Sequence, residues 1–271
     1  MKITNYHTHT TFCDGKNTAE EMVLSAIKKG MAEIGFSVHS PLPFPEKWDI
    51  KKEKMPEYIS TLKALKEKFK DQIKIYIGIE QDYYSEGSTE GFDYVIGAVH
   101  YILKDGKYLP LDLSAQATKE NIDKHYDGDA LSYCEDYYKI VEDLYNRTKC
   151  DIIAHFDLVT KFNERLPLID TGSSRYKKAS ENAVYELLKT PAIFEINTGA
   201  ISRGYRTTPY PADCLLDLIA ESEKPFVVNS DSHSIDTVDF GIQKAMLELD
   251  ICGYKYIKSL DEIIKNKKTA F

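Results

Sequence analysis

A chain of 271 residues with a formal net charge of -8 can bury a large core within one domain, and it lacks the basic face that a sequence-independent nucleic-acid binder needs against phosphates. No apolar run approaches the roughly 18 residues of a membrane-spanning helix, and Met1-Lys2-Ile3 leads straight into a strand rather than a signal peptide, so a soluble, cytoplasmic protein without a membrane partner is expected. Five scattered cysteines, odd in number and without a Cys-x-x-Cys pair, exclude a disulfide framework and read as reduced thiols.

The first element is a strand carrying His7-Thr8-His9, with Asp14 soon after it. Alternation along an extended segment puts His7 and His9 on one side, about 7 Å apart, close enough to grip one ion, and Asp14 offers a hard oxygen ligand. Cys13 beside them reads as a small packed side chain. Thr18 and Glu21 have the spacing of a capping box, and Met22, Val23, Ala26 and Ile27 then mark one face of a helix ending near Gly30. A second strand, Ala32 to His39, runs into the loop Pro41-Leu42-Pro43-Phe44-Pro45, which cannot be helical. Ile59, Leu62, Leu65 and Phe69 recur at helical intervals before Lys74 to Glu80 turns to β-type composition. A fourth strand, Tyr94 to His100, follows with little helix before it.

Tyr101 to Ala130 is rich in Asp, Lys and Gly with little periodicity, too long for an ordinary connector, and reads as a lid or an inert excursion. Ser132 and Glu135 repeat the capping-box spacing ahead of Tyr137, Ile140, Val141, Leu144 and Tyr145, and Asp151 to His155 makes a fifth strand. The polar stretch Phe156 to Lys177 precedes a helix over Ala183, Val184, Leu187 and Leu188 that stops at Thr190-Pro191. A sixth strand, Ala192 to Asn197, and a loop from Thr198 to Pro209 lead to a helix carrying Leu215, Leu216, Leu218 and Ile219. Pro225 to His233 holds the seventh strand, ending in Asp231 and His233. The tail reads as a helix over Ile242, Ala245, Met246 and Leu249, a short strand from Tyr254 to Ile257, and a last helix capped by Ser259 with Glu262.

Strands alternating with helices predict parallel pairing and closure into a single α/β barrel over residues 1–271, with no repeat or linker to divide it. Catalytic groups of such barrels gather at the carboxyl ends of the strands. His7, His9, His39, Glu80, His100, His155, Asp231 and His233 all fall there, so that His125 is the one histidine of seven left over. Singly, each has an ordinary explanation as a satisfied core imidazole or a solvated strand-end charge. Jointly, they would be desolvated without purpose unless they bind metal. With Asp14 they number nine, more than one zinc needs, so two or three divalent transition metals (zinc, manganese or iron) are expected.

Seven motifs, spread over nearly the whole chain, carry a specific resemblance. They are His7-Thr-His9 with Asp14, Gly35-Phe36-Ser37-Val38-His39-Ser40-Pro41-Leu42-Pro43, Gly78-Ile79-Glu80-Gln81-Asp82-Tyr83, Gly97-Ala98-Val99-His100, Ala154-His155-Phe156-Asp157, Glu195-Ile196-Asn197-Thr198-Gly199 and Ser230-Asp231-Ser232-His233. The chain resembles the polymerase-and-histidinol-phosphatase (PHP) superfamily, and within it the histidinol-phosphate phosphatases. That resemblance implies a distorted (β/α)7 TIM-like barrel and a three-metal site. It implies His7, His9, Glu80 and Asp231 on one metal, Glu80 bridging to a second held by His100 and His155, and Asp14, His39 and His233 on the third. The reaction implied is hydrolysis of L-histidinol phosphate to L-histidinol and inorganic phosphate in histidine biosynthesis, by a hydroxide shared between metals. Such catalysis suits a monoester because its transition state places charge on the nonbridging oxygens and the leaving alkoxide.

Asp231 or His233 is a candidate to protonate the leaving oxygen, with a coordinated water an equal candidate. Arg203 and Arg206, after the sixth strand, are the expected phosphate clamps because a guanidinium offers parallel donors, and Arg203 counts among the catalytic candidates for that reason. Arg165 and Lys161 are second choices, and surface charge is the plain alternative for each of the four. Asp82, Asp157, Phe44 and Trp48 are expected near the ammonium and imidazole of the substrate. Three rival readings stand beside this one. The first is another PHP phosphoesterase, such as a phosphodiesterase, exonuclease or nucleotide phosphatase. The second is an amidohydrolase-like barrel, although those commonly bridge metals with a modified lysine where this third strand ends in Glu80. The third is a noncatalytic metal-dependent binding domain.

Overall fold

An apolar run followed by an amphipathic helix returns the chain in its original direction, so consecutive runs pair in parallel. The computed structural model describes residues 2–264. Its first half runs β1 (Thr4–Asn5), α1 (Ala19–Lys28), β2 (Glu33–His39), α2 (Met55–Lys68), β3 (Lys74–Asp82), β4 (Tyr94–Ala98), β5 (Tyr101–Lys104), β6 (Lys107–Pro110), α3 (Ala115–His125) and α4 (Ala130–Thr148). It continues through β7 (Ile152–Ile153), α5 (Ser174–Leu188), β8 (Ile193–Asn197), α6 (Gly199–Ser202), α7 (Asp213–Ala220), β9 (Phe226–Asn229) and α8 (Ile242–Cys252).

Seven strands form one parallel sheet in the order β1-β2-β3-β4-β7-β8-β9. The sheet curls until its edges meet beyond the ends of β1 and β9, where Thr8 and Ser232 form a parallel bridge. His9 N–H donates to Ser232 O at 2.8 Å and Ser232 N–H to His7 O at 3.1 Å. The expected barrel is therefore nearly closed, and the closing bridge itself places the His7-His9 pair against Asp231 and His233.

Below that mouth the barrel is filled by side chains. Tyr94 reaches across the interior, its ring so close to Gly78 that an added Cβ would lie 2.3 Å from it, and an added Cβ on Gly35 would lie 2.4 Å from the hydroxyl. Glycine is required at both positions for that close approach. The Tyr94 hydroxyl donates to the carbonyls of Tyr6 and Phe36, and Tyr6 packs edge-on to Tyr76 and Tyr94 at 5.8 and 6.3 Å. Outside the sheet, α1 buries Met22, Val23 and Ala26, while α4 and α5 pack together through Tyr138, Val141, Ala183, Val184 and Leu187. No helix of the described residues is long and apolar enough to cross a membrane.

Several sequence expectations change. The stretch from Tyr101 to Ala130 is an antiparallel hairpin, β5–β6, followed by α3 capped by Ser114. Its two-residue turn, Asp105-Gly106, has both residues at positive φ (50° and 73°), which is the geometry Asp-Gly favours in a hairpin. Helix α4 starts before the Ser132-Glu135 pair, because Asp129 is its cap and accepts from Leu131 N–H and Ser132 N–H at 3.0 and 3.1 Å. The fifth strand shrinks to Ile152–Ile153, and the strand expected from Tyr254 to Ile257 is a single bridge between Phe226 and Tyr256. Near the end, Glu262 Oε1 accepts from Ser259 N–H at 3.1 Å, and the helix begun there runs to residue 264, with the rest outside the described residues.

Candidate metal centre

Register brings the predicted ligands to one rim. His39 on β2 pairs with Glu80 on β3, and His100 and His155 stand just past β4 and β7. Asp231, just past β9, takes φ 48°, a conformation uncommon for a residue with a side chain and of the kind held at functional sites.

Glu80 is the hub. Its fully buried carboxylate lies 3.3 Å from His7 Nε2, 3.5 Å from His9 Nε2, 3.4 Å from His100 Nε2 and 3.1 Å from His155 Nε2. His39 Nδ1 is 2.7 Å from Glu80 Oε2, but out of hydrogen-bonding direction, so neither atom is satisfied. Asp231 Oδ1 stands 3.3 Å from His9 Nε2 and 3.7 Å from His7 Nε2. Asp14 lies 3.6 Å from His39 Nε2 and 3.4 Å from His233 Nε2. Two ligands about 2.1 Å from one tetrahedral ion stand about 3.4 Å apart. The contacts of His7, His9 and His100 with Glu80, and those of Asp14 and Asp231, have that spacing, whereas His155 Nε2 is within hydrogen-bond distance of Glu80 Oε1 at 3.1 Å. Buried nitrogens of His7, His9, His39 and His155 find no hydrogen-bond partner among the described residues.

All nine predicted ligands fall into groups with the spacing of a metal site. The groups are His9, Asp14, His39 and His233; His7, Glu80 and His155; His7, His9 and Asp231; and His39, Glu80 and His100. His9 thus approaches both Asp231 and the outer set with Asp14, and His39 approaches both Asp14 and Glu80. The charges agree with the spacing. Burial opposes a charge on His7, yet Glu195, Glu80 and Asp231 hold its pKa well above the imidazole range. Burial likewise opposes ionisation of Glu80, but His39, His7 and His100 keep its carboxyl well below the usual value. His9 is pushed down to about 3 by burial and by His233 and His39, which leaves it a neutral donor. Buried carboxylates that hold positive charge beside them, together with buried imidazole nitrogens, are side chains that could hold a divalent metal ion.

A cavity of about 340 Å³ opens onto this cluster, lined also by Glu46, Trp48, Tyr101, Asp112, Lys161 and Tyr205. Arg203 reaches it too, donating to Asp231 Oδ2 at 2.9 Å and to Asp231 O at 3.0 Å. The other expected clamps divide. Lys161 faces the cavity, 3.6 Å from Asp112 Oδ2. Arg206 does not line it, because its buried guanidinium is taken by Asp157 Oδ2 at 3.2 Å and Thr160 Oγ1 at 2.6 Å and lies over the Tyr210 ring. Arg165 is exposed, donates to Gly204 O and covers Tyr205.

Of the residues expected around the substrate's ammonium and imidazole, only Trp48 lines the cavity, edge-on to His39 at 4.5 Å. Asp82 is occupied by His100 Nδ1 at 3.1 Å, Asp157 holds Arg206, and Phe44 stacks on Tyr108 at 4.0 Å. Sequence reasoning passed over Glu46 and Asp112, which lie in loops, and quoted Glu195 in a motif without a role, although it hydrogen-bonds His7 Nδ1 at 2.7 Å. The signal for Glu195 was present as a lone acid inside an apolar strand, where a buried charge needs a partner.

Among known proteins, a histidinol-phosphatase from Lactococcus lactis subsp. lactis is 28% identical, with 99% of this chain and 99% of that protein covered. A candidate histidinol phosphatase from Listeria monocytogenes shares the fold with a TM-score of 0.78 at 22% identity, covering 89% of this chain and 99% of its own. A Lactococcus lactis histidinol phosphate phosphatase, solved with zinc, L-histidinol and phosphate, gives a TM-score of 0.64 at 22% identity, covering 94% of this chain and 95% of its own. The family model for the PHP domain matches residues 5–199, most of the barrel, and the chain belongs to the PHP domain family.

Proposed function

We propose that this protein is a histidinol-phosphatase, cleaving L-histidinol phosphate to L-histidinol and inorganic phosphate at a centre of two or three divalent ions, zinc, manganese or iron. The observation that carries this reading is the convergence of nine ligand-type side chains, Glu80 among them, on one rim beside a cavity of small-molecule size, within a PHP chain whose relatives bear that activity's name. Glu80, His7 and His155 would hold one ion, with His100 and His39 on the other side of Glu80, and Asp14, His9, His39 and His233 would form the outer set. When bound, the ions supply positive charge for the phosphoryl oxygens and make a water acidic enough to attack phosphorus near neutral pH.

The protein's own groups do the rest. Arg203 is anchored through Asp231 and lines the cavity, where guanidinium suits phosphoryl oxygens. Asp231 has one oxygen tied to Arg203 and the other facing His7, His9 and His233, which favours an orienting role over that of a proton donor. Lys161 adds a second cation to the cavity lining. Glu46 and Asp112 supply negative charge for an ammonium, and Trp48, Tyr101 and Tyr205 give flat walls for an imidazole. The test is phosphate release from L-histidinol phosphate and from unrelated monoesters, with zinc, manganese or iron added. Preference for histidinol phosphate is expected. Equal turnover of all monoesters would discard the substrate, and no turnover with any metal would discard the enzyme.

A further inference from the structure

Glu195 lies in the middle of β8, between Phe194 and Ile196, with no solvent exposure. A carboxylate buried there is costly unless its oxygens are satisfied. They are satisfied by four donors from separate parts of the rim. Oε1 accepts from His7 Nδ1–H at 2.7 Å and from Asn229 Nδ2–H at 2.9 Å, while Oε2 accepts from Asn197 Nδ2–H at 2.8 Å and from the backbone N–H of His155 at 3.0 Å. Glu195 belongs to none of the groups with metal-site spacing, and it stands on the opposite edge of the His7 ring from Glu80.

We propose that Glu195 is a positioning residue of the metal centre: it fixes His7 as the Nδ1–H tautomer, turning Nε2 toward Glu80 and Asp231, and its second oxygen holds His155 in place by the backbone. The assignment rests on reading the cluster as a metal centre. With Nδ1 engaged, the nitrogen of His7 left to bind is Nε2, which lies 3.3 Å from Glu80 and 3.7 Å from Asp231 and has no hydrogen-bond partner among the described residues. An anionic partner on the far nitrogen also makes an imidazole a stronger ligand. One residue thereby sets the direction of His7 and the height of His155, two ligands far apart in the sequence that both meet Glu80.

Glu195→Gln tests this with little change of shape. The new amide must turn its NH2 either to the donors His7 and Asn229 or to the donors Asn197 and His155, so one pair loses its acceptor in either orientation. Zinc affinity is measured by competition with a chromophoric chelator, and histidine tautomers by imidazole nitrogen-15 spectra of the zinc-loaded protein. The expected result is a tightest zinc bound about 10–100-fold more weakly in the variant. The wild-type His7 should show a protonated Nδ1 and a metal-shifted Nε2, a pattern the variant loses. Unchanged zinc affinity in the variant, or a wild-type His7 that binds through Nδ1, overturns the assignment. Should the variant not fold, the wild-type spectrum decides alone. A wild type that binds no zinc overturns the metal-centre reading and this proposal with it, whereas weakened zinc in the variant of a wild type without phosphatase activity supports Glu195 and overturns only the phosphatase.

Discussion

Two arginines from one loop have opposite fates, and burial decides which. Arg203 keeps about a third of its side chain exposed at the cavity, whereas Arg206 is shut in with Asp157. Arg203→Lys keeps the charge but loses the planar fork, and since a hydrogen bond to a charged group contributes about 1.5–3 kcal/mol, kcat/KM is expected to fall about 10–100-fold with metal content unchanged. Arg206→Met leaves Asp157 buried without its cation, so a loss of about 3–5 kcal/mol in urea unfolding is expected. A rise in KM at unchanged stability would return Arg206 to the role of phosphate clamp. The sequence displays both arginines alike. What separates them is Asp157, a partner supplied by the loop after β7, and no local pattern announces a contact between residues 49 positions apart.

Elements whose signals lie within a turn or two were legible, and those defined by distant partners were not. The Thr18–Glu21 box caps α1 as its spacing predicts. In α4 the same spacing misleads, because Asp129 lies nearer the chain reversal and its carboxylate reaches two backbone N–H groups first. Asp129→Ala is expected to lower stability by about 1 kcal/mol, read in thermal or urea unfolding, with activity unchanged. Hydrogen bonds from Ser132, joined by Arg175, draw the Asp129 carboxyl down to about 2. Its folded pKa lies below its unfolded one, so its contribution is complete above the ordinary carboxylate value and is lost as pH falls through about 2. Acid unfolding of Asp129→Ala should therefore converge with that of the parent at the lowest pH, and a constant gap would contradict this. The hairpin β5–β6 was hidden in a stretch whose polarity resembles a loop, although its Asp-Gly turn was the available sign. It contributes Tyr101 and Pro110 to the cavity wall.

At the scale of the molecule, the strands were readable because each apolar run is bounded, and the rim was readable because its histidines fall where runs end. The closing bridge between Thr8 and Ser232 was not, since two isolated positions carry no periodicity. That closure gathers buried carboxylates and imidazoles with the spacing of a metal site, so on the proposed reading stability should depend on bound metal. Ions held at about 100 times their dissociation constant add about 2.7 kcal/mol per site, so chelation should lower the melting temperature and metal should restore it. Loss should be stepwise. Asp14 and His233 keep 34% and 23% of their side chains exposed while those of His7 and Glu80 are fully buried, so the outer ion should leave first. Simultaneous loss of all metal would contradict that order. The most direct test of the whole account is an anomalous-scattering map from crystals of protein never exposed to chelator, with elemental analysis of the same sample. Two or three metal peaks around Glu80, within reach of His7, His100, His155 and Asp231, are predicted. A cluster without ions, its imidazoles turned away from Glu80, would contradict it.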